Sequence, residues 1–302
     1  METPTSGSPH ISVIIPTLNA EKQIAQIIRA LREQSLQVEE IIIVDSESED
    51  RTVEICVNAG VSVRQIKRSD FNHGGTRDDA FHTSNGEYVL FLTNDVEIAD
   101  DQLVKRLWEK LQTDSQMAAV YGCQVARKDA SYMETLVREY NYPKQAHVYT
   151  EKDISKYGIK TFFMSDVCAM YRRNCYLQIG GFERNIKTNE DMFFAARAIR
   201  AGYSIGYEPE AKVIHSHNFS LCQQYRRNYI QGYEIERHKD LLGNIPATSA
   251  GEGMVLFITR EMFRRGRFLS WIRFGFDCCA RYLGNRAGAK KAKQEVHARI
   301  EN

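Results

Sequence analysis

Two carboxylates follow a short apolar run in the segment 87–100. Tyr88–Leu92 is a run of five apolar residues, rich in aromatic and branched side chains, and is typical of a strand buried on both faces of a parallel sheet. Asp95 and Glu97 come directly after it. Ligands of open α/β sheets collect at the carboxyl ends of strands, and carboxylate oxygens suit Mg²⁺ or Mn²⁺. We therefore predict a divalent metal site here, with a solvated acidic loop as the alternative.

Histidine and arginine residues elsewhere have the spacing of ligand-binding groups. His215 and His217 are two residues apart, so on a strand both rings would lie on one face and could bind the same ligand. Arg77 follows Gly74 and Gly75, whose missing side chains let a ligand approach the backbone, and its guanidinium could hold a diphosphate or a sugar. The alternatives are core histidines and a surface arginine that begins a helix.

Glycine-rich phosphate loops are absent from the sequence. No GxGxxG segment follows the first predicted strand, and no GxxxxGK[ST] segment occurs anywhere. Phosphates are therefore not held by such a loop at a helix start. This absence favours a metal ion as the phosphate-binding group and strengthens the interpretation of Asp95.

The elements that would position these residues alternate between strands and helices up to residue 125. Strands are predicted at Ile11–Thr17, Glu40–Asp45, 61–66, Tyr88–Leu92 and 118–125, and helices at 20–34, 50–59, 76–83 and 103–111. This alternation indicates a parallel sheet with right-handed crossovers. Further along, strands are predicted at 162–171 and 212–217, and helices at 189–201 and 221–242.

The chain divides into a catalytic domain and a shorter extension. We assign residues 1–242 to the domain, with a nucleotide-binding half at about 10–125 and an acceptor half at about 126–242, and residues 243–302 to a helical extension. Helix 268–283 is amphipathic, and residues 260–293 hold ten basic against two acidic residues. Such a helix can lie on an anionic membrane surface. Packing on the catalytic domain or a homo-oligomer interface are the alternatives, and residues 288–302 are expected to fray.

Composition limits the class of protein. Forty basic and 39 acidic residues leave a formal charge of +1, which gives no reason to expect a nucleic-acid partner. Seven cysteines without a CxxC pair are typical of a reduced cytoplasmic protein. The first ten residues lack the pattern of a signal peptide, and no apolar stretch reaches the length of a membrane span. We expect a cytoplasmic protein, peripheral on the inner membrane face if the extension binds lipid.

Seven segments occur in an order that resembles a known enzyme family. They are ISVIIPTLN, IIIVDSESED, FNHGGTRDDA, LFLTNDVEI, SDVCAMYRR, GGFERNIKTNEDMFFAARAIRAGY and VIHSHNFS. The order resembles the family 2 inverting glycosyltransferases over about residues 10–240. This resemblance implies an α/β glycosyltransferase-A fold, with a Rossmann-like, mostly parallel sheet, flanking helices and here a C-terminal helical extension. FNHGGTRDDA and HSHNFS further resemble bacterial rhamnosyltransferases that use dTDP-L-rhamnose.

The resemblance assigns a metal site to residues already noted. Asp95 matches the last Asp of the family's DxD motif, which binds the metal, and His215 matches a further metal ligand. Glu97 is a candidate for a direct or indirect ligand of the same ion, with a solvated residue after the strand as the alternative. Thr93 stands where many members have the first Asp, so Thr93 and Asn94 are assigned to substrate binding.

The resemblance also assigns the base pocket and the catalytic base. Asp45 matches the acidic residue that accepts from the ring N3–H of thymine or uracil, and Thr17 lines the same pocket; the alternative for Asp45 is a cap on the following segment. Asp191 matches the Asp of the family's ED motif, the base that removes the acceptor proton. Glu190 beside it would raise its basicity. The alternative is that both acids only favour the amino end of a helix.

These assignments together predict a metal-dependent inverting sugar transferase. It would use Mg²⁺ or Mn²⁺ and move rhamnose from dTDP-β-L-rhamnose to a glycan or lipid-linked glycan. The alternatives are an enzyme that uses a UDP-hexose and a catalytically silent glycan- or membrane-binding module.

Overall fold

A mixed sheet with helices on both faces forms the body of the protein. The computed structural model describes residues 8–243, 245 and 248–300. Its strands are β1 (Ile11–Thr17), β2 (Glu40–Asp45), β3 (Ser62–Gln65), β4 (Tyr88–Leu92), β5 (Glu97–Ile98), β6 (Met117–Val125), β7 (His147–Tyr149), β8 (Cys168–Arg172) and β9 (Ser204–Ile214). Its helices are α1 (Ile24–Arg32), α2 (Thr52–Asn58), α3 (His73–Thr83), α4 (Leu103–Gln112), α5 (Tyr132–Asn141), α6 (Ile154–Tyr157), α7 (Arg173–Ile179), α8 (Glu190–Arg200), α9 (Leu221–Arg237), α10 (Lys239–Leu242), α11 (Thr248–Arg264) and α12 (Phe268–Ile300).

The sheet combines a parallel half with an irregular half. Its order is β3-β2-β1-β4-β8-β6-β9-β5, with β7 also paired to β9. The first four strands are parallel, as the alternation of strands and helices predicts. β8 then runs antiparallel between β4 and β6, and β9 is parallel to β6 but antiparallel to β5 and β7. The sheet as a whole is therefore mixed rather than mostly parallel.

Strand β4 connects the two halves of the core. All five of its residues are buried, as expected for a strand covered on both faces. Val89 and Phe91 pack into the aromatic core on one face, whereas Leu90 and Leu92 pack into the aliphatic core on the other. Because neighbouring strand residues point to opposite faces, a continuous apolar run suits this position.

Two strand predictions need correction. Residues 163–167 form a loop, so β8 covers only the end of the predicted strand 162–171. β9 begins at Ser204 and ends at Ile214, so His215 and His217 follow the strand and do not lie on it. The register of β9 against β6 shifts between Gly122 and Cys123, and such an irregularity obscures the period-two pattern in the sequence.

The long helix α12 packs closely against α9. A Cβ atom on Gly284 would clash with the Tyr225 carbonyl oxygen, and one on Gly288 would clash with that of Tyr229. Only glycine allows the two backbones to come this near. The segment after residue 288, which we expected to fray, is helical to Ile300.

Candidate active-site cleft

A cleft of about 550 Å³ opens beside the turn that follows β4. Its walls come from this turn, the loop before β8, the start of α8, and the helices α9, α11 and α12. Its ionisable and amide-bearing lining includes Arg77, Gln124, Asp166, Glu190, Asp191, His215, His217, Arg227 and Arg281. The cleft therefore joins the predicted base, the arginine and the histidines in one space.

Asp95, His215 and His217 form a cluster of candidate metal ligands. Oδ2 of Asp95 lies 3.2 Å from Nε2 of each histidine. One ligand atom from each residue lies within 4.8 Å of the others. Asp95 belongs to the turn after β4, and the histidines follow β9, whose Ile214 pairs with Glu97 of β5. The pairing of β5 with β9 thus brings the carboxylate and both imidazoles together.

The hydrogen bonds of His215 point its Nε2 lone pair toward Asp95. Nδ1 of His215 lies 2.9 Å from Oε1 of Gln124, which also accepts a hydrogen bond from Arg138 at 2.8 Å. Because a guanidinium only donates, the amide oxygen is the atom that faces both groups, and Nδ1 carries the proton. Burial lowers the pKa of His215, which keeps the ring neutral. Neutral imidazole with its other nitrogen bonded in this way is the form that binds metals.

The donor set fits a divalent transition metal. Burial alone would raise the pKa of Asp95, but hydrogen bonds to its carboxylate, that of the His217 ring among them, outweigh burial and hold that pKa below its usual range. The carboxylate is therefore ionised at neutral pH. One carboxylate with two imidazoles suits Mn²⁺ better than Mg²⁺, which prefers oxygen ligands. Glu97 is exposed and lies outside the cluster, so its role as a ligand stays a prediction.

Three carboxylates and an arginine meet where α8 begins. Glu190 and Asp191 are the first residues of α8. The Arg77 guanidinium lies between two acids, with Nη1 3.2 Å from Oε1 of Glu190 and Nε 3.7 Å from Oδ2 of Asp166. The Asp191 carboxylate accepts hydrogen bonds from the backbone N–H of Asp166 at 3.2 Å and of Met192 at 2.7 Å. These bonds hold Asp191 at the cleft wall.

The electrostatics of this cluster suit proton transfer. Burial and the charge of Glu190 raise the pKa of Asp191 to about 7. Burial and the charge of Asp191 also raise the pKa of Asp166. A carboxylate whose pKa lies near the working pH is an efficient general base.

Asp45 and Thr17 lie together at the carboxyl ends of β2 and β1. Asp45 accepts hydrogen bonds from the Thr17 hydroxyl at 3.2 Å and from the Ser48 backbone N–H at 2.9 Å. The carboxylate thus caps the turn after β2, as the alternative expects, and base binding stays a prediction. The Asn94 side chain lies near the end of β1, where it donates to the Leu18 carbonyl at 3.3 Å.

Comparison with known proteins places this arrangement in a family. Residues 12–180, more than half of the chain, match the family model described as Glycosyl transferase family 2. The chain belongs to glycosyltransferase family 2. The enzyme is 38% identical to the O-antigen chain rhamnosyltransferase RfbN of Salmonella typhimurium over 74% of this chain and 71% of that protein. It is 37% identical to WbaN of Salmonella anatum, another O-antigen chain rhamnosyltransferase, with the same coverage.

Solved structures support the fold. A mannosyltransferase from Pyrobaculum calidifontis, solved with GDP-Man and Mn²⁺, superposes with a TM-score of 0.64 at 15% identity, covering 96% of the enzyme and 88% of that chain. TarS residues 1–349 from Staphylococcus aureus, in complex with UDP, superpose with a TM-score of 0.55 at 20% identity, covering 84% of the enzyme and 72% of that chain. The glycosyltransferase-A fold that the resemblance implied is confirmed.

Several members of the cleft escaped the sequence analysis. Arg77 is only 4% exposed and lies among acids, so the alternative of a surface arginine is wrong. Asp166 belongs to the segment SDVCAMYRR but received no role, although an acid before a buried strand was a usable signal. Gln124 gave no signal, because its part depends on the pairing of β6 with β9. The sequence allows His217 to be either a core histidine or a ligand. In the structure, Nε2 of His217 lies 3.2 Å from Oδ2 of Asp95.

The extension contributes to the cleft. Arg281 and Asn285 of α12 line it beside Arg227 of α9. The division at residue 242 stays a prediction, but the cleft wall continues beyond that position.

Proposed function

We propose that this enzyme transfers L-rhamnose from dTDP-β-L-rhamnose to a glycan or lipid-linked glycan of a cell-surface polysaccharide, with inversion to an α-linked product. The observation that carries the proposal is the 38% identity to an O-antigen chain rhamnosyltransferase over 71% of that relative. The segments FNHGGTRDDA and HSHNFS, which resemble rhamnosyltransferases, contribute Arg77, His215 and His217 to the cleft wall.

Asp191 acts as the general base in this proposal. It takes the proton from the acceptor hydroxyl, whose oxygen attacks the anomeric carbon from the face opposite the nucleotide. The bond from that carbon to the diphosphate breaks, and the diphosphate leaves with the electron pair. The raised pKa of Asp191 supports this role, because a stronger base accepts the proton more readily. The ion pair between Arg77 and Glu190, whose atoms Nη1 and Oε1 are 3.2 Å apart, fixes the charged groups beside Asp191.

Asp95, His215 and His217 would hold the divalent cofactor. We favour Mn²⁺ over Mg²⁺ because two of the three donors are imidazole nitrogens. When bound, the ion supplies positive charge that stabilises the departing diphosphate. Thr93 and Asn94, in the turn that carries Asp95, would contact the nucleotide sugar, and Thr17 with Asp45 would contact the thymine.

The donor preference is directly testable. With Mn²⁺ present, the enzyme should release dTDP from dTDP-L-rhamnose at least about tenfold faster than UDP from UDP-glucose or UDP-galactose, judged by kcat/KM. Nucleotide release measured by chromatography gives both rates. A clear preference for a UDP-hexose would contradict the donor and leave the family intact. Stabilisation by glycans without turnover of any donor would instead favour a silent binding module.

The outer face of α12 supports a proposal of membrane binding. Phe268, Leu269, Ile272 and Phe276 are each more than half exposed, and the opposite side of the helix packs on α9. No helix in the described ranges is both long and apolar enough to cross a bilayer. We propose that this apolar face enters the headgroup layer of an anionic membrane on its cytoplasmic side. Basic residues near such a surface contribute roughly 1 kcal/mol each and are screened by salt.

Liposome binding tests the membrane proposal. The enzyme should co-sediment with anionic but not neutral vesicles and be released as salt rises. The double variant Leu269→Ser, Phe276→Ser should lose this binding, since both side chains are exposed in the folded protein. Leu177→Ser is the matched control, because Leu177 of α7 is 45% exposed far along the chain from this face. If the double variant instead converts a dimer into a monomer without lipid, the face is a homo-oligomer interface.

A further inference from the structure

Two buried polar atoms in the cleft face each other without a hydrogen bond. Nε of Arg77 and Oδ2 of Asp166 are 3.7 Å apart, too far for a direct bond. Neither atom has a hydrogen-bond partner among the residues that the structure describes. The two side chains are 4% and 3% exposed, and both line the cleft. Buried donors and acceptors of this kind are costly to leave unpaired, so the pair is suited to a ligand.

Neighbouring contacts keep the pair apart. Nη1 of Arg77 donates to the His73 carbonyl at 3.2 Å and lies 3.2 Å from Glu190. Oδ1 of Asp166 accepts from the Tyr171 hydroxyl at 2.5 Å, and its backbone N–H donates to Asp191. Each side chain is thus held by its other polar atoms, and Nε of Arg77 and Oδ2 of Asp166 stay unpaired and covered beside the cleft.

The chemistry of the pair selects a hydroxyl group. An N–H donor and a carboxylate acceptor at this spacing can both contact one oxygen at about 2.9 Å, provided that oxygen accepts one bond and donates another. An alcohol does both. A diphosphate cannot donate a hydrogen bond to Asp166, and the acidic side chain of Glu190, 3.2 Å from the same guanidinium, disfavours a second anion there.

We propose that Arg77 and Asp166 together bind one hydroxyl of the sugar that lies beside Asp191, with Arg77 donating to the oxygen and Asp166 accepting its hydrogen. This inference rests on the proposed function and assigns Arg77 to sugar recognition instead of diphosphate binding. The backbone N–H of Asp166 donates a hydrogen bond to the Asp191 carboxylate. The position of Asp166 therefore affects both the hydroxyl contact and the base. The pair therefore sets both the identity of the sugar and its position against the base.

A deoxy-sugar series tests the inference. Wild-type enzyme is assayed for dTDP release into water from dTDP-L-rhamnose and from three analogues that each lack one ring hydroxyl. We expect one analogue to lose about 10²-fold or more in kcat/KM, because it leaves Arg77 and Asp166 unpaired. In Asp166→Asn, that same analogue should lose less than about tenfold relative to dTDP-L-rhamnose.

Asp78→Asn is the matched control for this variant. Asp78 is also buried and also accepts a tyrosine hydroxyl, that of Tyr176 at 2.9 Å, but its other oxygen is paired with Arg184. It lies outside the cleft lining. Asp78→Asn should change stability and leave the discrimination among the analogues as in wild type.

A second arm separates the donor sugar from the acceptor sugar. If the hydroxyl belongs to the acceptor, Asp166→Asn leaves donor hydrolysis intact and raises KM for the acceptor glycan extracted from the producing cells. Arg77→Lys keeps the charge but removes the Nε–H, so it should change the analogue discrimination or the acceptor KM in the same direction as Asp166→Asn. It replaces Asp166→Asn if that variant does not fold. Unchanged analogue discrimination together with an unchanged acceptor KM would overturn the inference. Failure of wild type to release nucleotide from any dTDP-sugar would remove the proposed function first.

Discussion

Asp191→Asn should lower kcat by about 10²- to 10⁴-fold and leave dTDP affinity nearly unchanged, because asparagine cannot take the acceptor proton but keeps the size of aspartate. Its side-chain oxygen can still accept the Asp166 N–H bond that holds the wild-type carboxylate. Initial rates at saturating donor and titration calorimetry with dTDP separate the two quantities. Near-normal kcat in this variant would remove Asp191 from the role of base.

The pH dependence of kcat/KM is a second test of Asp191 as the base. A base must be ionised to act, so wild-type kcat/KM should fall as pH drops through the pKa of Asp191, about 7. The charge of Glu190 contributes to that raised pKa. Glu190→Gln should therefore move the acid limb of the profile to lower pH. An acid limb that stays in place would mean that another group titrates in the reaction.

Asp95→Ala should lower Mn²⁺ affinity at least about 100-fold and abolish the metal-dependent stabilisation by dTDP. The variant removes the only carboxylate of the three clustered ligands in the described chain, and loss even of groups that merely support a ligand costs 10- to 100-fold. A ligand at about 100 times its Kd stabilises a protein by about 2.7 kcal/mol, so its loss is visible as a change in Tm. Calorimetry with Mn²⁺ measures the affinity directly.

Glu97→Ala is the control for the metal prediction. Glu97 is exposed and stands two residues from Asp95, outside the cluster. If the three clustered residues suffice, this variant keeps its Mn²⁺ affinity; if Glu97 is also a ligand, the affinity falls. Full activity of wild type in EDTA would contradict the metal assignment as a whole.

The parallel half of the sheet was predictable because its strands are buried on both faces. Ile11–Thr17, Glu40–Asp45 and Tyr88–Leu92 are the observed bounds of β1, β2 and β4, and they coincide with apolar runs in the sequence. Burial on two sides demands continuous apolar residues, and polar residues mark the ends. β9 was only partly predicted, because its register against β6 shifts and its charged positions interrupt the pattern.

The long C-terminal helix shows where hydrophobic periodicity misleads. The amphipathic pattern of residues 268–283 predicted a helix correctly but did not identify its packed face. Small residues, Gly284 and Gly288, make the contact with α9, whereas Phe268, Leu269 and Phe276 remain exposed. Close backbone approach requires the absence of a side chain, a feature that hydrophobicity does not record.

The sequence by itself determined the family, the parallel half of the sheet and the residue types of the site, because these depend on local runs and on the order of motifs. Only the tertiary structure decided which groups meet. Asp95 reaches both histidines because β5 pairs with β9, and Gln124 orients His215 because β6 lies beside β9. Arg77 faces Asp166 because α3 and the loop before β8 converge on α8. Such contacts join residues far apart in the chain, and neither composition nor spacing carries their geometry.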